Sequence, residues 1–224
     1  MNAPLSAWET TKGKSKYHFD NTTIDPKYDT VNYLGNILPF WQNDLKNIIE
    51  TARAATWRTR GKDFTKGRPE EELASEDYDM ERGGYGKDYI ISNLSYELTE
   101  NLERIGNWFA LDGNLPRIHV QIPGQVWNLH IDKLQKWCPE DPDRIVRIFI
   151  QLTDWQPGQF WNYGNFMYTG WKAGDVTTFD WQNVPHATAN ASYDPRVTLQ
   201  LTGLVTDKTR DFLRVLGSKS PYSV

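Results

Sequence analysis

A histidine and an aspartate lie two residues apart in the stretch NLHID, residues 128–132. The apolar residues around them predict a β-strand, and side chains two apart on a strand project from the same face. By this phase, Asn128, His130 and Asp132 share one face and Trp127 lies on the other. The spacing aims an imidazole and a carboxylate at one point, which suits them to bind a metal ion together.

Three residues nearer the C-terminus add to this pair. His186 follows the segment AGDVTTFDWQNVP and begins a predicted strand, so it stands at a strand end. Two histidines and one carboxylate form the facial set that binds non-haem Fe(II) and leaves neighbouring positions open. Arg196 begins the next strand, and its planar guanidinium suits a carboxylate held by two hydrogen bonds. Thr198 shares the face of Arg196 and is expected to donate to the same carboxylate.

The polar faces of these strands also have an ordinary explanation. In the last strand, Arg196 and Thr198 alternate with apolar residues, and an antiparallel sheet commonly exposes its polar face to water. Strand by strand, a solvated face is the simpler interpretation. The ordered set of two histidines, one aspartate and one arginine favours an interior site instead.

The spacing of apolar residues changes near Leu115, and this change separates the predicted helices from the predicted strands that position these residues. Before it, apolar residues at helical spacing predict helices over residues 42–57 and 95–111. After it, short alternating segments separated by Gly, Pro and Asp predict strands at 117–122, 125–132, 144–155, 159–163, 166–169, 175–181, 186–190 and 196–205. So many strands without intervening helices indicate a mainly β sandwich or closed barrel, such as a jelly roll, with the N-terminal helices bracing one outer face.

We expect a single domain over residues 1–224, with a core at 115–205 and a C-terminal extension at 206–224. Its N-terminal region, residues 1–114, begins with a polar arm of about 30 residues that contains His18, which is expected to be exposed. A segment of opposite charges runs from Arg53 to the RGGYGK stretch at residues 82–87. A solvated loop and a substrate lid both fit this segment.

The composition of the chain argues against some classes of binding partner. A formal net charge of −4 provides no overall field that would attract nucleic acid, and no apolar run approaches the length of a membrane span. The single cysteine, Cys138, cannot form an internal disulfide, and the first residues lack the apolar core of a signal peptide. We therefore expect a cytoplasmic protein that binds neither nucleic acid nor membrane. The sequence does not indicate an oligomeric state.

The residues His130-Ile131-Asp132, then His186 after 53 further residues, then Arg196 after nine more, resemble the pattern of the Fe(II)- and 2-oxoglutarate-dependent oxygenases. The stretches GWKAGDVTTFDWQNVPHATANAS and RVTLQLTG are similar to the Gly-Asp turn, the His-bearing turn and the final strand of that fold. The resemblance covers residues 115–205. It implies a double-stranded β-helix, a jelly-roll, cupin-like core.

The resemblance implies that His130, Asp132 and His186 bind Fe(II) and that Arg196, with Thr198, holds the distal carboxylate of 2-oxoglutarate. With O2, such enzymes produce succinate and CO2 and usually hydroxylate a substrate, for which an amino-acid or peptide side chain ranks first. By strand phase, the residues that could meet the other carboxylate are Gln121, Asn128 and Arg147. For Arg147 a structural salt bridge fits equally well. Residues that could line the substrate position, or serve only in core packing, are Trp137, Trp161 and Tyr163.

Two other functions remain open. A cupin-type metal-dependent dioxygenase or isomerase would use no 2-oxoglutarate, but it gives no reason for Arg196. A non-catalytic jelly roll that binds carbohydrate or protein would suit the ten tryptophans and would leave His130 at the surface. In all three cases His119 is expected to be structural and Cys138 inert.

Overall fold

The computed structural model describes residues 30–56 and 90–218 of the chain. The strands in these ranges are β1 Asn32–Asn36, β2 Arg53–Thr56, β3 Ile90–Ser95, β4 Arg117–Gln121, β5 Val126–His130, β6 Ile145–Gln151, β7 Gln159–Tyr163, β8 Phe166–Tyr168, β9 Asp175–Thr178, β10 His186–Asn190 and β11 Arg196–Leu204. The helices are α1 Leu45–Thr51, α2 Glu100–Phe109 and α3 Asp207–Ser218. The predicted arm with His18, and the charged segment beyond Thr56, lie outside the described residues.

The strands form two antiparallel sheets. The larger sheet has the order β1-β9-β6-β11-β4-β3-β2, and the smaller has the order β5-β10-β7-β8. From β4 to β11 the chain passes back and forth between the sheets, apart from the β7–β8 hairpin, which is the winding of a jelly roll. The predicted fold class is confirmed, and each of the eight strands expected after residue 115 is present.

The apolar side of the larger sheet is covered by helices. Side chains of β4, β6 and β11 pack there with residues of α1 and α2, and the buried set includes Trp41, Ile48, Leu102, Ile105, Phe109, Ile118, Val120, Ile148, Ile150, Val197, Leu199 and Leu201. Apart from the indole N–H of Trp41, which donates to the Leu152 carbonyl at 2.9 Å, these side chains are apolar, so the stability of the cluster depends mainly on burial and packing. The helices therefore brace the outer face, as predicted, and leave the opposite face of the sheet directed into the barrel.

Both predicted N-terminal helices are shorter than their apolar spacing indicated. α1 ends at Thr51, and the chain turns to an extended conformation at Ala52 to form β2, which pairs with β3. α2 begins at Glu100 instead of Ser95, because β3 pairs with β4 up to Ser95. In both places sheet pairing overrides helical propensity, which contributes well under 1 kcal/mol for most residues.

The C-terminal extension contains α3, which was not predicted. Thr206 and Thr209 cap its first turn reciprocally, each side chain accepting a hydrogen bond from the other's backbone N–H at 3.1 Å. Phe212 of α3 packs edge-to-face on Phe109, with ring centroids 4.9 Å apart. None of the helices in the described ranges has the length and hydropathy that a membrane span requires.

Candidate metal and anion site

Two strands of the smaller sheet bring the first two candidate ligands together. β5 and β10 are antiparallel neighbours, and His130 at the end of β5 lies opposite His186 at the start of β10. Their ring centroids are 4.2 Å apart, and both side chains are buried. Histidines separated by more than 50 residues thus meet because of strand register, not through local sequence.

A β-bulge changes the phase of β5. His186 pairs with His130 and Thr188 pairs with Trp127, so three steps along β5 match two along β10. Trp127 consequently lies on the same face as His130, and the two rings stack with centroids 5.6 Å apart and an interplanar angle of 13°. The expectation that Asn128 shares this face and Trp127 does not is therefore wrong, because strict alternation ends at a bulge.

Asp132 lies just beyond the end of β5 and completes the group. Its Oδ1 is 3.8 Å from Nε2 of His130, and its Oδ2 is 3.5 Å from Nε2 of His186. One ligand atom from each of the three residues lies within 4.8 Å of the others, and all three residues are buried. Ligand nitrogens and oxygens about 2 Å from one ion must lie this close together, so the group fits a divalent metal.

Backbone carbonyls orient both imidazoles. Nδ1 of His130 is 2.7 Å from the carbonyl oxygen of Asn128, and Nδ1 of His186 is 3.3 Å from that of Val184. A carbonyl can only accept, so each Nδ1 carries the proton and each Nε2 presents its lone pair to the shared centre. This is the usual second interaction of metal-binding histidines. Asn128 thus contributes through its backbone, a role that side-chain phase could not indicate.

Arg147 contacts the same carboxylate. This residue lies on β6 in the larger sheet, and its Nη1 donates to Oδ2 of Asp132. Both side chains are buried, so the guanidinium compensates the carboxylate charge in a region where an isolated charge would be costly. Of the two expectations for Arg147, the structure places it in a salt bridge, and the partner is a candidate metal ligand.

Arg196 begins β11 on the inner face of the larger sheet and is 2% exposed. Its Nη2 donates to Oε1 of Gln121 at 2.7 Å, and its Cζ lies 4.6 Å from the ring centroid of Trp161. Nε and Nη1 have no hydrogen-bond partner among the described residues. Burial lowers the pKa of this guanidinium, partly offset by Tyr163. A buried cation with unused donors is suited to bind an anionic group.

Thr198 and Gln121 flank Arg196 on this face. Thr198 Oγ1 donates to Oε1 of Gln151 at 2.9 Å, so in this structure its hydroxyl proton is directed to a neighbouring strand. Oε1 of Gln121 accepts from Arg196, and Thr188 also donates to it at 3.1 Å. The polar faces that could have been solvated are thus buried inside the barrel.

The three candidate substrate residues have different positions. Trp161 and Tyr163 are buried on β7, with ring centroids 6.0 Å apart, and Trp161 covers the guanidinium of Arg196. Burial raises the pKa of Tyr163, so its hydroxyl stays protonated, and Arg196 and Arg147 are both close enough to oppose that shift. Trp137 is 39% exposed in a 3-10 turn and does not join this group.

The remaining sequence candidates keep their expected positions. His119 is buried on β4 and packs against Trp127, with ring centroids 5.3 Å apart. Cys138 is buried, and burial together with the carboxylate of Glu140 raises the pKa of its thiol, which disfavours a reactive thiolate.

Neither a family model nor a curated protein sequence matches the chain. Among solved structures, it is similar to the non-heme alpha ketoglutarate dependent epimerase SnoN from nogalamycin biosynthesis, with 10% identity, coverage of 79% of this chain and 78% of that chain, and a TM-score of 0.50. This structural similarity and the strand order of the two sheets indicate the same fold. The fold is a cupin-like jelly roll.

Two further solved structures have lower TM-scores. A prolyl-4-hydroxylase of Pseudomonas putida is 14% identical over 80% of this chain and 95% of that chain, with a TM-score of 0.46. A Cupin 2 conserved barrel domain protein of Salinispora arenicola is 11% identical over 55% of this chain and 84% of that chain, with a TM-score of 0.33. At these identities the comparisons concern the fold alone, so the function must be argued from the site.

Proposed function

We propose that this chain is an Fe(II)- and 2-oxoglutarate-dependent oxygenase that hydroxylates an amino-acid or peptide side chain. The observation that carries the proposal is a buried Arg196, whose Nε and Nη1 have no hydrogen-bond partner within residues 30–56 and 90–218, together with a buried His-Asp-His group. The group alone would fit many metal enzymes. The additional buried cation calls for an anionic ligand, as a 2-oxo diacid would be.

Each residue has a defined part in this proposal. His130, Asp132 and His186 would hold Fe(II), which two imidazoles and one carboxylate suit. Arg196 would hold the distal carboxylate. When bound, the iron and cosubstrate supply the oxidation, converting O2 and 2-oxoglutarate to succinate and CO2 as the substrate is hydroxylated.

The surroundings of the candidate ligands suit chemistry that must exclude water. Trp127 stacks on His130, and Phe179 packs on His186 with ring centroids 4.6 Å apart. These rings cover part of each imidazole and contribute to its burial. A dry, pre-oriented set of groups strengthens their electrostatic interaction with bound charges and limits side reactions.

The similar epimerase is described as alpha ketoglutarate dependent, which is the same cosubstrate. We propose this cosubstrate for the present chain because of Arg196, since 10% identity alone would not support it. A cytoplasmic location remains part of the proposal, since a reducing compartment favours Fe(II) and the free thiol of Cys138.

The test measures Fe(II) binding under anaerobic conditions and then succinate formation from 2-oxoglutarate in air. We expect one equivalent of metal and succinate above background for the wild type, and neither for Asp132→Ala. Asp211→Asn is the matched control, because this carboxylate is exposed and pairs only with Arg214 among the described residues. Turnover by Asp132→Ala that equals the wild type would contradict the proposal.

A metal-dependent reaction that is indifferent to 2-oxoglutarate would instead identify the cupin-type alternative. Absence of stoichiometric metal from protein prepared under reducing conditions would favour the non-catalytic jelly roll. A screen of amino acids, peptides and nucleic acids for stimulation of succinate formation addresses the substrate class.

A further inference from the structure

Two arginine–glutamine pairs lie across the same two strands in opposite orientations. Gln121 of β4 lies opposite Arg196 of β11, and Arg117 of β4 lies opposite Gln200 of β11. In each pair an arginine Nη2 donates to a glutamine Oε1, at 2.7 Å for Arg196 and 2.9 Å for Arg117. All four side chains are buried. The cross-strand partner of each cation is thus a neutral amide.

The orientation of the Gln121 amide is fixed from two sides. A guanidinium can only donate, so the amide atom nearest Arg196 must be the oxygen. Thr188 of β10 donates its hydroxyl to the same oxygen at 3.1 Å, and Nε2 of Gln121 donates to the Thr188 carbonyl at 3.4 Å. Gln121 therefore links the two sheets and holds Arg196 from a rigid position.

The neutrality of this partner has a physical consequence. A carboxylate at the same place would form a buried ion pair with Arg196 and would compete with any ligand anion for its charge. An amide oxygen fixes one nitrogen of the guanidinium but leaves the positive charge uncompensated. Nε and Nη1 keep donors that no described residue uses.

We propose that Gln121 is a positioning and selectivity residue: its neutral amide holds Arg196 in place and keeps the charge available for a carboxylate of the ligand. The inference rests on the proposed function and adds a determinant to it. Gln121 was expected from strand phase to meet the ligand's other carboxylate. In the structure its Oε1 accepts a hydrogen bond from Arg196, and through this contact it acts on the ligand's distal carboxylate.

The experiment compares two ligands in Mn(II)-loaded protein by titration calorimetry. 2-Oxoglutarate has a distal carboxylate, whereas 2-oxopentanoate has the same five carbons without it. In Gln121→Glu we expect the preference for 2-oxoglutarate to fall by roughly 10- to 100-fold, the size of one hydrogen bond to a charged group. A general structural defect would weaken both ligands alike and leave the ratio unchanged.

Gln200→Glu is the matched control, because it places the same acid beside the other buried arginine of the same strand pair. We expect its preference for 2-oxoglutarate to stay within about threefold of wild type, since the new carboxylate pairs with Arg117 and lies four residues along β11 from Arg196. An unchanged preference in Gln121→Glu would overturn the inference, as would an equal loss in both variants.

A second variant keeps the test informative if Gln121→Glu fails to fold by circular dichroism. Gln121→Met fills similar space without an acceptor, and we expect its affinity for 2-oxoglutarate to fall by about threefold or more through loss of orientation. Wild-type affinity in Gln121→Met would overturn the positioning role. A wild-type protein that does not prefer 2-oxoglutarate over 2-oxopentanoate would instead contradict the proposed function itself.

Discussion

The two faces of β11 are equally buried but have opposite chemistry. Val197, Leu199 and Leu201 pack against helices on the outer side, within a cluster of apolar residues. On the inner side, Arg196 and the polar residues that alternate with it face the barrel interior, and they too are almost entirely inaccessible to solvent. One strand therefore contributes to the folding core through one face and to the candidate site through the other.

The two faces differ in the interactions that their buried side chains require. Apolar side chains need only complementary volume, so any neighbour of suitable shape suffices. Buried polar groups need specific partners: on the inner face Thr198 donates to Gln151, and Arg196 donates to Gln121. We therefore expect outer-face changes to act on stability alone, and inner-face changes to act on binding and, where a buried polar group loses its partner, on stability as well. Four variants test this difference.

The largest effect is expected for His130→Ala, which removes a candidate ligand without touching the outer face. Mutation of a residue that hydrogen-bonds to a metal ligand lowers metal affinity by roughly 10- to 100-fold. Loss of a ligand itself should lower it further. Competition titration with a chromophoric chelator and Mn(II) measures the affinity. His119→Ala serves for comparison, because His119 packs on Trp127 outside the ligand group. Equal metal affinity in His130→Ala would remove the metal assignment.

Arg147→Met should be the most destabilising change on the inner face. It leaves the buried carboxylate of Asp132 without its arginine, and such losses cost about 3–5 kcal/mol in the free energy of unfolding. Metal ion should restore part of this loss, because it binds the folded state and compensates the same carboxylate. Urea denaturation with and without Mn(II) measures both effects.

The control for this variant is Arg210→Met. Arg210 pairs with Asp207 on the surface of α3, where its side chain is 58% exposed, and such pairs contribute about 0–1 kcal/mol. If Arg147→Met were no less stable than Arg210→Met, the Arg147–Asp132 pair would have no role in holding the site together.

On the outer face, Leu199→Ala should lower the free energy of unfolding by about 2–5 kcal/mol, because Leu199 is fully buried and its removal leaves a cavity. The preference for 2-oxoglutarate over 2-oxopentanoate should not change in the folded protein. Thermal denaturation and ligand titration measure the two quantities separately. A changed preference at wild-type stability would show that the faces are not independent.

The sequence predicted the barrel strands well because their alternation and turn residues are local signals. It also singled out His130, Asp132, His186 and Arg196 as candidate site residues, because their types and order are visible along the chain, and in the structure all four are buried. Several features could not be predicted. The bulge that turns Trp127 toward His130 depends on pairing with β10, and the contact between Arg147 and Asp132 joins two sheets.

Other omissions had local signals that were not used. The Thr-x-x-Thr pattern at residues 206–209 is a helix-capping signal, and it precedes α3 directly. The predicted helix at 42–57 included β2, and β3 was not predicted, because the contribution of both strands to the larger sheet comes from pairing with other strands. Local pattern thus identified which residues could do chemistry more reliably than it identified what each would contact.

The smallest effect is expected for Thr198→Val, which keeps the shape of the side chain and removes its hydroxyl. The lost hydrogen bond to Gln151 should lower the free energy of unfolding by about 1 kcal/mol. If Thr198 also reorients to the ligand, as its position beside Arg196 allows, the affinity for 2-oxoglutarate should fall severalfold while that for 2-oxopentanoate stays constant. Equal affinity of Thr198→Val and wild type for 2-oxoglutarate would confine this residue to the Gln151 contact. The inner face would then bind the distal carboxylate through Arg196 without help from this hydroxyl.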